Sequence, residues 1–202
     1  MLTITEQRVT AAALRQHATV PIAFTVTSVF AVEIIDQGVA SWWGPRATPG
    51  SPGVPWRLTE RGVEPYVKDY DASEPPAFAD RWDTSTWGLL AAVEDGRRVG
   101  GAVVAARTPG LDLLEGRDDL AALLDIRVAP TWRSHGLGTR LFAAACAWAR
   151  AASCRQLKVE TQNTNVPACR FYARQSCQLR AVHPHAYPAL PHEVQLLWYI
   201  DL

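Results

Sequence analysis

The stretch "LAALLDIRVAPTWRSHGLGTRLFAAACAWARAA", Leu120 to Ala152, limits what this chain can fold into more than any other part of it. Its first nine residues, Leu120 to Val128, are almost continuously apolar and read as a strand. Period-2 alternation sets Asp125 and Arg127 on one face, and Leu124, Ile126 and Val128 on the other. Past Pro130 the glycines of "RSHGLG" punctuate the chain. Leu141, Ala145 and Trp148 then recur at helical spacing together with Phe142 and Ala149. A strand that passes through a glycine turn into a helix aims backbone N–H groups at one place, at the positive end of the helix. Such a place suits an anion. Gly136 and Gly138 keep β-carbons out of its way, Thr139 adds a hydroxyl, and Arg133 adds a guanidinium matched to phosphate oxygens. Glycine turns also precede helices for steric reasons alone.

Two familiar phosphate motifs do not fit. The GxxxxGK run of ATP-binding loops lacks its lysine here, and no GxGxxG with a downstream acidic residue marks a dinucleotide site. Elsewhere, residues 5 to 16 could form a helix, and "FTVTSVFAVEII", Phe24 to Ile35, reads as strand. The proline- and glycine-rich segment 44–55 reads as an irregular connection. The segment before it is too short to bury its own core, so one domain spanning 1–202, with an N-terminal elaboration, is expected. A short helix is expected within 72–83. Trp87 to Val93 and Val99 to Ala106 flank "EDGRR" as a hairpin, with Gly100 and Gly101 allowing a bend or close backbone approach. Residues 156–161 read as strand, "NVPACRFYARQ" as a loop entering a short helix, and 194–200 as a terminal strand.

Twenty basic residues balance twenty acidic ones, so the chain lacks the positive field that nucleic-acid or anionic-membrane partners rely on. No apolar run reaches bilayer-spanning length and the first residues lack a secretory pattern, which makes cytoplasmic residence the expectation. Cys146, Cys154, Cys169 and Cys177 never fall in a CxxC arrangement and read as buried or half-buried thiols. His183, His185 and His192 are interspersed with prolines, so no metal site is expected.

The span "LLDIRVAPTWRSHGLGTRLFAAACAWA", followed by "LKVETQNTNVPACRFYARQ", resembles the GCN5-related N-acetyltransferase family. That family's Arg/Gln-x-x-Gly-x-Gly/Ala pattern binds the pyrophosphate of acetyl-coenzyme A. "YVKDYD", "RWDTSTWGLLAA", "VGGAVVA" and "EVQLLWY" extend the likeness from Tyr66 to the C-terminus, toward the family's streptothricin acetyltransferase branch. The resemblance implies an α/β (α+β) fold with a mixed, splayed central β-sheet flanked by α-helices, and acetyl-coenzyme A as cosubstrate. It also implies that Ile126, Arg127 and Val128 offer backbone groups to the pantetheine arm. Arg133, Ser134, His135, Gly136, Leu137, Gly138 and Thr139 would surround the pyrophosphate, and Asn165 and Tyr172 would complete the cofactor side. The implied partner is a small-molecule amine, the β-lysine amino group of streptothricin. A homodimer is the family expectation, with the oligomeric state left open by the sequence.

On this template Tyr172 is the general acid for the departing thiolate; otherwise it is a packing residue of an amphipathic helix. Cys169 reads as packing, since direct transfer needs no acetyl-enzyme. The acceptor, with an amine pKa of roughly 10, must lose a proton before attack. Glu160 is the candidate base, directly or through water, and Asp125 the candidate holder of a cationic substrate, with the two roles interchangeable. An Asp125–Arg127 ion pair is the alternative. Asp69, Tyr70, Asp71, Trp82, Asp83 and Trp87 form an acidic and aromatic set suited to a cationic amine; core tryptophans and a surface turn would explain the same residues. Asn165 reads equally as a turn residue before Pro167. The alternative functions are acetylation of another polyamine, peptide or protein amine, or a non-catalytic acyl-coenzyme A-binding regulator.

Overall fold

The structure is a computed structural model that describes residues 1–34, 56–72 and 75–202. The expected irregular segment 44–55 lies outside the described residues. In chain order the elements are β1 (Leu2–Gln7), α1 (Ala11–Ala18), β2 (Phe24–Ile34), β3 (Trp56–Lys68), α2 (Phe78–Arg81), β4 (Gly88–Glu94), β5 (Arg97–Ala106), β6 (Leu120–Val128), α3 (Leu137–Ala151), β7 (Gln156–Gln162), α4 (Val166–Arg174), β8 (Gln178–His183) and β9 (Gln195–Asp201). Seven strands form one sheet in the order β1-β4-β5-β6-β7-β9-β8, and β2 pairs with β3 in a separate ribbon. The chain divides into two compact units: residues 1–24, 69–158 and 201–202, and residues 25–68 and 159–200.

The first unit is built on an antiparallel run from β1 through β4 and β5 to β6. The expected hairpin is present, with Leu89 opposite Val103 and Leu90 opposite Ala102. Leu89, Val103 and Ala105 are almost wholly buried and form a core with Val9, Leu14 and Trp87. The helix expected over 5–16 is corrected. Residues 2–7 pair with β4 because Leu2 and Ile4 alternate with Thr3 and Thr5, a strand period rather than a helical one. Helix α1 starts at Ala11, where the Thr10 side chain accepts the Ala13 N–H and satisfies an otherwise open helix-terminal donor.

Gly100 and Gly101 serve a close approach. A β-carbon on Gly100 would sit 2.7 Å from the Arg127 carbonyl oxygen, and one on Gly101 would sit 2.7 Å from Nδ1 of the fully buried His17. Register shifts accompany them, because Val99 and Leu124 are each an extra residue in their ladders, and such bulges bend a strand. Helix α3 buries Leu137, Leu141, Phe142, Ala145, Cys146 and Ala149 along one stripe, as its spacing predicts.

In the second unit the β2–β3 ribbon is joined to β7 through Asn163. Its side-chain Nδ2 donates to the Phe30 carbonyl (2.9 Å), its Oδ1 accepts the Val194 N–H (2.8 Å), and its own N–H and C=O bond to Val194 and Phe30. Strand β3 is barely visible in sequence because most of its residues are exposed, which leaves no apolar alternation to read. Pro65, lacking an N–H, is tolerated in a two-stranded ribbon. Strand β8 was likewise not anticipated; it pairs with β9, antiparallel, at the end of the sheet.

Gly101→Val is expected to destabilise the protein by about 1–3 kcal/mol, the usual cost of overpacking a filled core, because its side chain would meet the His17 ring and the Leu90 carbonyl. The midpoint of urea unfolding, with an unchanged slope, measures the effect.

Candidate active site

In the first unit the turn ahead of α3 has the backbone of an anion cradle. Ser134 (φ 63°) and Gly136 (φ 80°) are both left-handed, and alternating left-handed and ordinary residues turns successive N–H groups to one side. The first bond of the helix runs from the Arg140 N–H to the Gly136 carbonyl, so the amides before Arg140 have no acceptor within the helix. A β-carbon built on Gly136 meets nothing within 4 Å, so the space in front of the turn is open. Leu137 is buried beneath the turn, Gly138 is half-buried, and Thr139 is exposed. Two side chains brace the turn from behind. The Arg133 guanidinium donates to the carbonyls of Val128, Pro21 and Ala23 (3.2–3.3 Å), and Nδ1 of His135 lies 2.7 Å from the Arg133 carbonyl, which can only accept. The residues present therefore fit a pyrophosphate held by backbone amides, with Arg133 shaping the cradle.

On β6 the alternation read from sequence is present with its burial inverted. Asp125 and Arg127 are buried, while Leu124, Ile126 and Val128 are half-buried. The Arg127 guanidinium bonds both Asp125 oxygens, grips Asp71 with two parallel bonds (2.6 and 2.8 Å), and reaches the Val20 carbonyl (3.3 Å). His17 Nε2 stands 3.2 Å from Asp125 on its other side. Burial works to raise the Asp125 carboxyl, but His17 and Arg127 outweigh it and hold the group below the usual carboxylate range. Burial likewise opposes the Arg127 charge, and the two carboxylates more than reverse that. Asp125 and Asp71 thus face Arg127.

The other acidic and aromatic positions separate. Trp87 is buried; its indole N–H donates to Thr108 (2.7 Å) and its ring meets Phe78 at 5.9 Å, with Trp82 packed against the same core. Asp83 is exposed and accepts the Ser85 N–H in a local turn, a bond that holds its carboxyl below the ordinary value. Asp69 accepts the Asp71 N–H, and Tyr70 is half-buried with its ring 6.0 Å from that of Phe24.

The second unit carries Asn165, Tyr172 and Glu160. Asn165 is the N-cap of α4, its Oδ1 accepting the Ala168 N–H (3.1 Å). Tyr172 is buried on α4, edge-on to Phe171 at 5.2 Å. Cys169, one turn earlier on the same side of the helix, lies 3.4 Å from the Thr161 hydroxyl, so α4 covers the Thr161 face of β7. Burial pushes the Cys169 thiol up to about 11, far from the thiolate a nucleophile requires. Glu160 alternates with Thr161 and emerges on the opposite face of β7. There Tyr187 donates to Oε1, Gln195 donates to Oε2 (2.8 Å), and Gln162 donates to the Tyr187 oxygen (3.0 Å). Tyr187 and Gln195 escaped the sequence reading. The one available signal was a lone tyrosine in the proline-spaced run 184–191 between two strands.

Residues 56–176 match the acetyltransferase (GNAT) family, more than half of the chain. The chain belongs to the acetyltransferase (GNAT) family. It is an acetyl-coenzyme A-dependent N-acetyltransferase, and its mixed α/β fold, with a splayed central sheet flanked by helices, is the family's. The acetyltransferase is 27% identical to the streptothricin acetyltransferase of Escherichia coli over 179 residues, 87% of this chain and 84% of that one. It is 37% identical to streptothricin acetyltransferase A of Bacillus subtilis (strain 168) over 81 residues, 39% of this chain and 47% of that one. Among solved structures it matches a protein of Bacillus anthracis str. Ames, assigned as a streptothricin acetyltransferase and in complex with acetyl coenzyme A, with TM-score 0.74, 21% identity and full coverage of both chains. It also matches nourseothricin acetyltransferase with TM-score 0.69, 22% identity and 98% coverage of each. Among the described residues no group of three His, Cys, Asp or Glu side chains is arranged to hold a metal, and no helix is long and apolar enough to cross a membrane.

Gly136→Val is expected to weaken acetyl-coenzyme A binding at least tenfold. Its side chain enters the open space before the amides, and a β-branched residue resists φ 80°. Calorimetry on the folded variant measures this; unchanged affinity would place the pyrophosphate elsewhere.

Proposed function

We propose that this acetyltransferase transfers the acetyl group of acetyl-coenzyme A to the β-lysine amino group of streptothricin, a small-molecule primary amine, and so confers resistance to it. The observation that carries the reading is the E. coli streptothricin acetyltransferase, alike over 87% of this chain. The B. subtilis relative, at 37% identity over a shorter span, supports it. Acetylation removes a positive charge from the antibiotic, which weakens its recognition by an anionic target such as ribosomal RNA.

The reaction forms an N–C bond and breaks the C–S bond of the thioester. The ammonium gives up a first proton to become a nucleophile. Its nitrogen loses another as the amide forms, and that loss balances a second proton taken up by the departing sulfur, so one proton is released overall. Glu160, directly or through water, takes the first. Tyr172 supplies the second as general acid. Tyr172 stands three residues after Cys169 on α4, the helix that meets Thr161. Transfer is direct, because the thiol nearest Tyr172 along α4, Cys169, is engaged with Thr161 and held protonated by burial. The amides of residues 134–139 hold the pyrophosphate, with backbone groups of Ile126 to Val128 and the Asn165 side chain serving the pantetheine arm. Asp125 has its charge answered by Arg127 inside the fold, so it acts on the acceptor only through Arg127 and Asp71.

Purified protein with acetyl-coenzyme A is expected to add one acetyl group to streptothricin, at the β-lysine moiety. Mass analysis should run against aminoglycosides, spermidine and lysine-containing peptides. Reaction with peptides alone would overturn the antibiotic reading.

Tyr172→Phe keeps the ring that packs on Phe171 and loses the proton donor. The chemical step is expected to slow roughly a hundredfold, the usual contribution of a positioned acid, while acetyl-coenzyme A affinity holds. Pre-steady-state kinetics isolate that step, and an unchanged rate would remove Tyr172 from the chemistry.

A further inference from the structure

Glu160 differs from three other carboxylates of its unit, the buried Glu193 and the exposed Glu60 and Glu33, in the charge of its partners. Glu193 pairs with Lys68, Glu60 with Arg170, and Glu33 faces Arg57 and Arg61. Glu160 is half-buried, and among the described residues no Lys or Arg lies within ion-pairing distance of it; its two oxygens each accept one neutral donor, from Tyr187 and Gln195. The donor directions are set by chemistry. The Gln162 amide donates to the Tyr187 oxygen, and the phenolic proton is donated to Glu160. Two donors occupy about half of a carboxylate's roughly four acceptor positions, leaving the rest for a ligand. A carboxylate partly removed from water with only neutral partners gains from an added cation. Gln195, which holds Oε2 of Glu160, also lines an open depression of about 420 Å³ with His183, Pro184, His185 and Ala186.

We propose that Tyr187 and Gln195 hold Glu160 as the counter-charge for the acceptor's ammonium, which reaches it from the depression beside Gln195. The inference rests on the transfer reaction proposed above and deepens it. The substrate class on this side is a compact primary alkylammonium, docked as the cation before it loses a proton, and Tyr187 is a positioning residue that acts through Glu160. The loop between β8 and β9, which carries Tyr187, is then a wall of the acceptor site.

The test is a double-mutant cycle on Tyr187→Phe and Glu160→Gln, with KM for the amine, kcat and acetyl-coenzyme A affinity measured for each variant. Streptothricin, spermidine and a lysine-containing peptide are the probes. Tyr187→Phe is expected to raise the amine KM about tenfold, more than it lowers kcat, with acetyl-coenzyme A affinity unchanged, as befits a lost bond to a charged group. In the Glu160→Gln background the same change should add little, since a residue acting through another shows non-additivity. Gln195→Met, which removes only the second donor, should raise KM in the same direction and covers the case in which Tyr187→Phe misfolds. A wild-type KM in Tyr187→Phe, or effects that simply add in the double variant, overturns the anchor. If spermidine or the peptide is acetylated and streptothricin is not, the antibiotic reading falls, and the cycle run on that amine still decides the role of Tyr187.

Discussion

A single guanidinium fastens the first unit. Arg127, buried on β6, bonds Asp125 two residues away, Asp71 on the loop that follows the ribbon, and the carbonyl of Val20 just past α1. A buried cation of this kind is tolerated only when every donor is met, and removing either side leaves an uncompensated charge whose cost is about 3–5 kcal/mol. Strand β6, the exit of α1 and the 69–71 loop are therefore specified together. Gly100 and Gly101 belong to the same arrangement, because the β5 backbone must come close enough for the Arg127 carbonyl and the His17 ring to occupy the space a side chain would fill.

The second unit has a counterpart in Asn163, which uses all of its main-chain and amide groups to tie the end of β7 to Phe30 and Val194. Both fastenings lie beside residues of the proposed site. Arg127 lies within the Ile126–Val128 stretch proposed to serve the pantetheine arm, and Asn163 follows one residue after Gln162, which bonds the Tyr187 oxygen. Rigid hydrogen-bonded anchors next to reacting groups limit the small displacements that would misplace them.

The sequence made the strand–turn–helix legible because each part had a strong local signal: continuous apolar residues for β6, glycines for the turn, and a 3.6-residue apolar stripe for α3. The hairpin and α4 were readable for similar reasons. What escaped was set by partners distant along the chain. The helix expected over 5–16 took in the end of strand β1 as well as most of α1, because six residues give little periodicity and β1 is defined by pairing with β4 some 90 residues later. Strand β3 is exposed along most of its length and carries no alternation. The acidic and aromatic set shows the same limit at the level of side chains. Residue type left Trp87 between pocket and core and Asp125 between substrate and an ion pair with Arg127; the fold gives Trp87 to the core and gives both Asp125 and Asp71 to Arg127. Glu160 was legible as a carboxylate near a strand end, but its holders lie 27 and 35 positions away, beyond any spacing rule.

Strand β7 divides its neighbours cleanly, with Thr161 toward α4 and Glu160 toward the loop between β8 and β9. A consequence concerns how such an enzyme diversifies. Tyr187 in the 184–194 loop reaches Glu160, whereas Thr161 meets Cys169 of α4, so exchanges in that loop can change the surroundings of Glu160 while the proposed acid on α4 keeps its packing. Under the proposed roles, recognition of the acceptor and handling of the thioester are thereby mutationally separable, and a lineage can change its amine without first surrendering its chemistry.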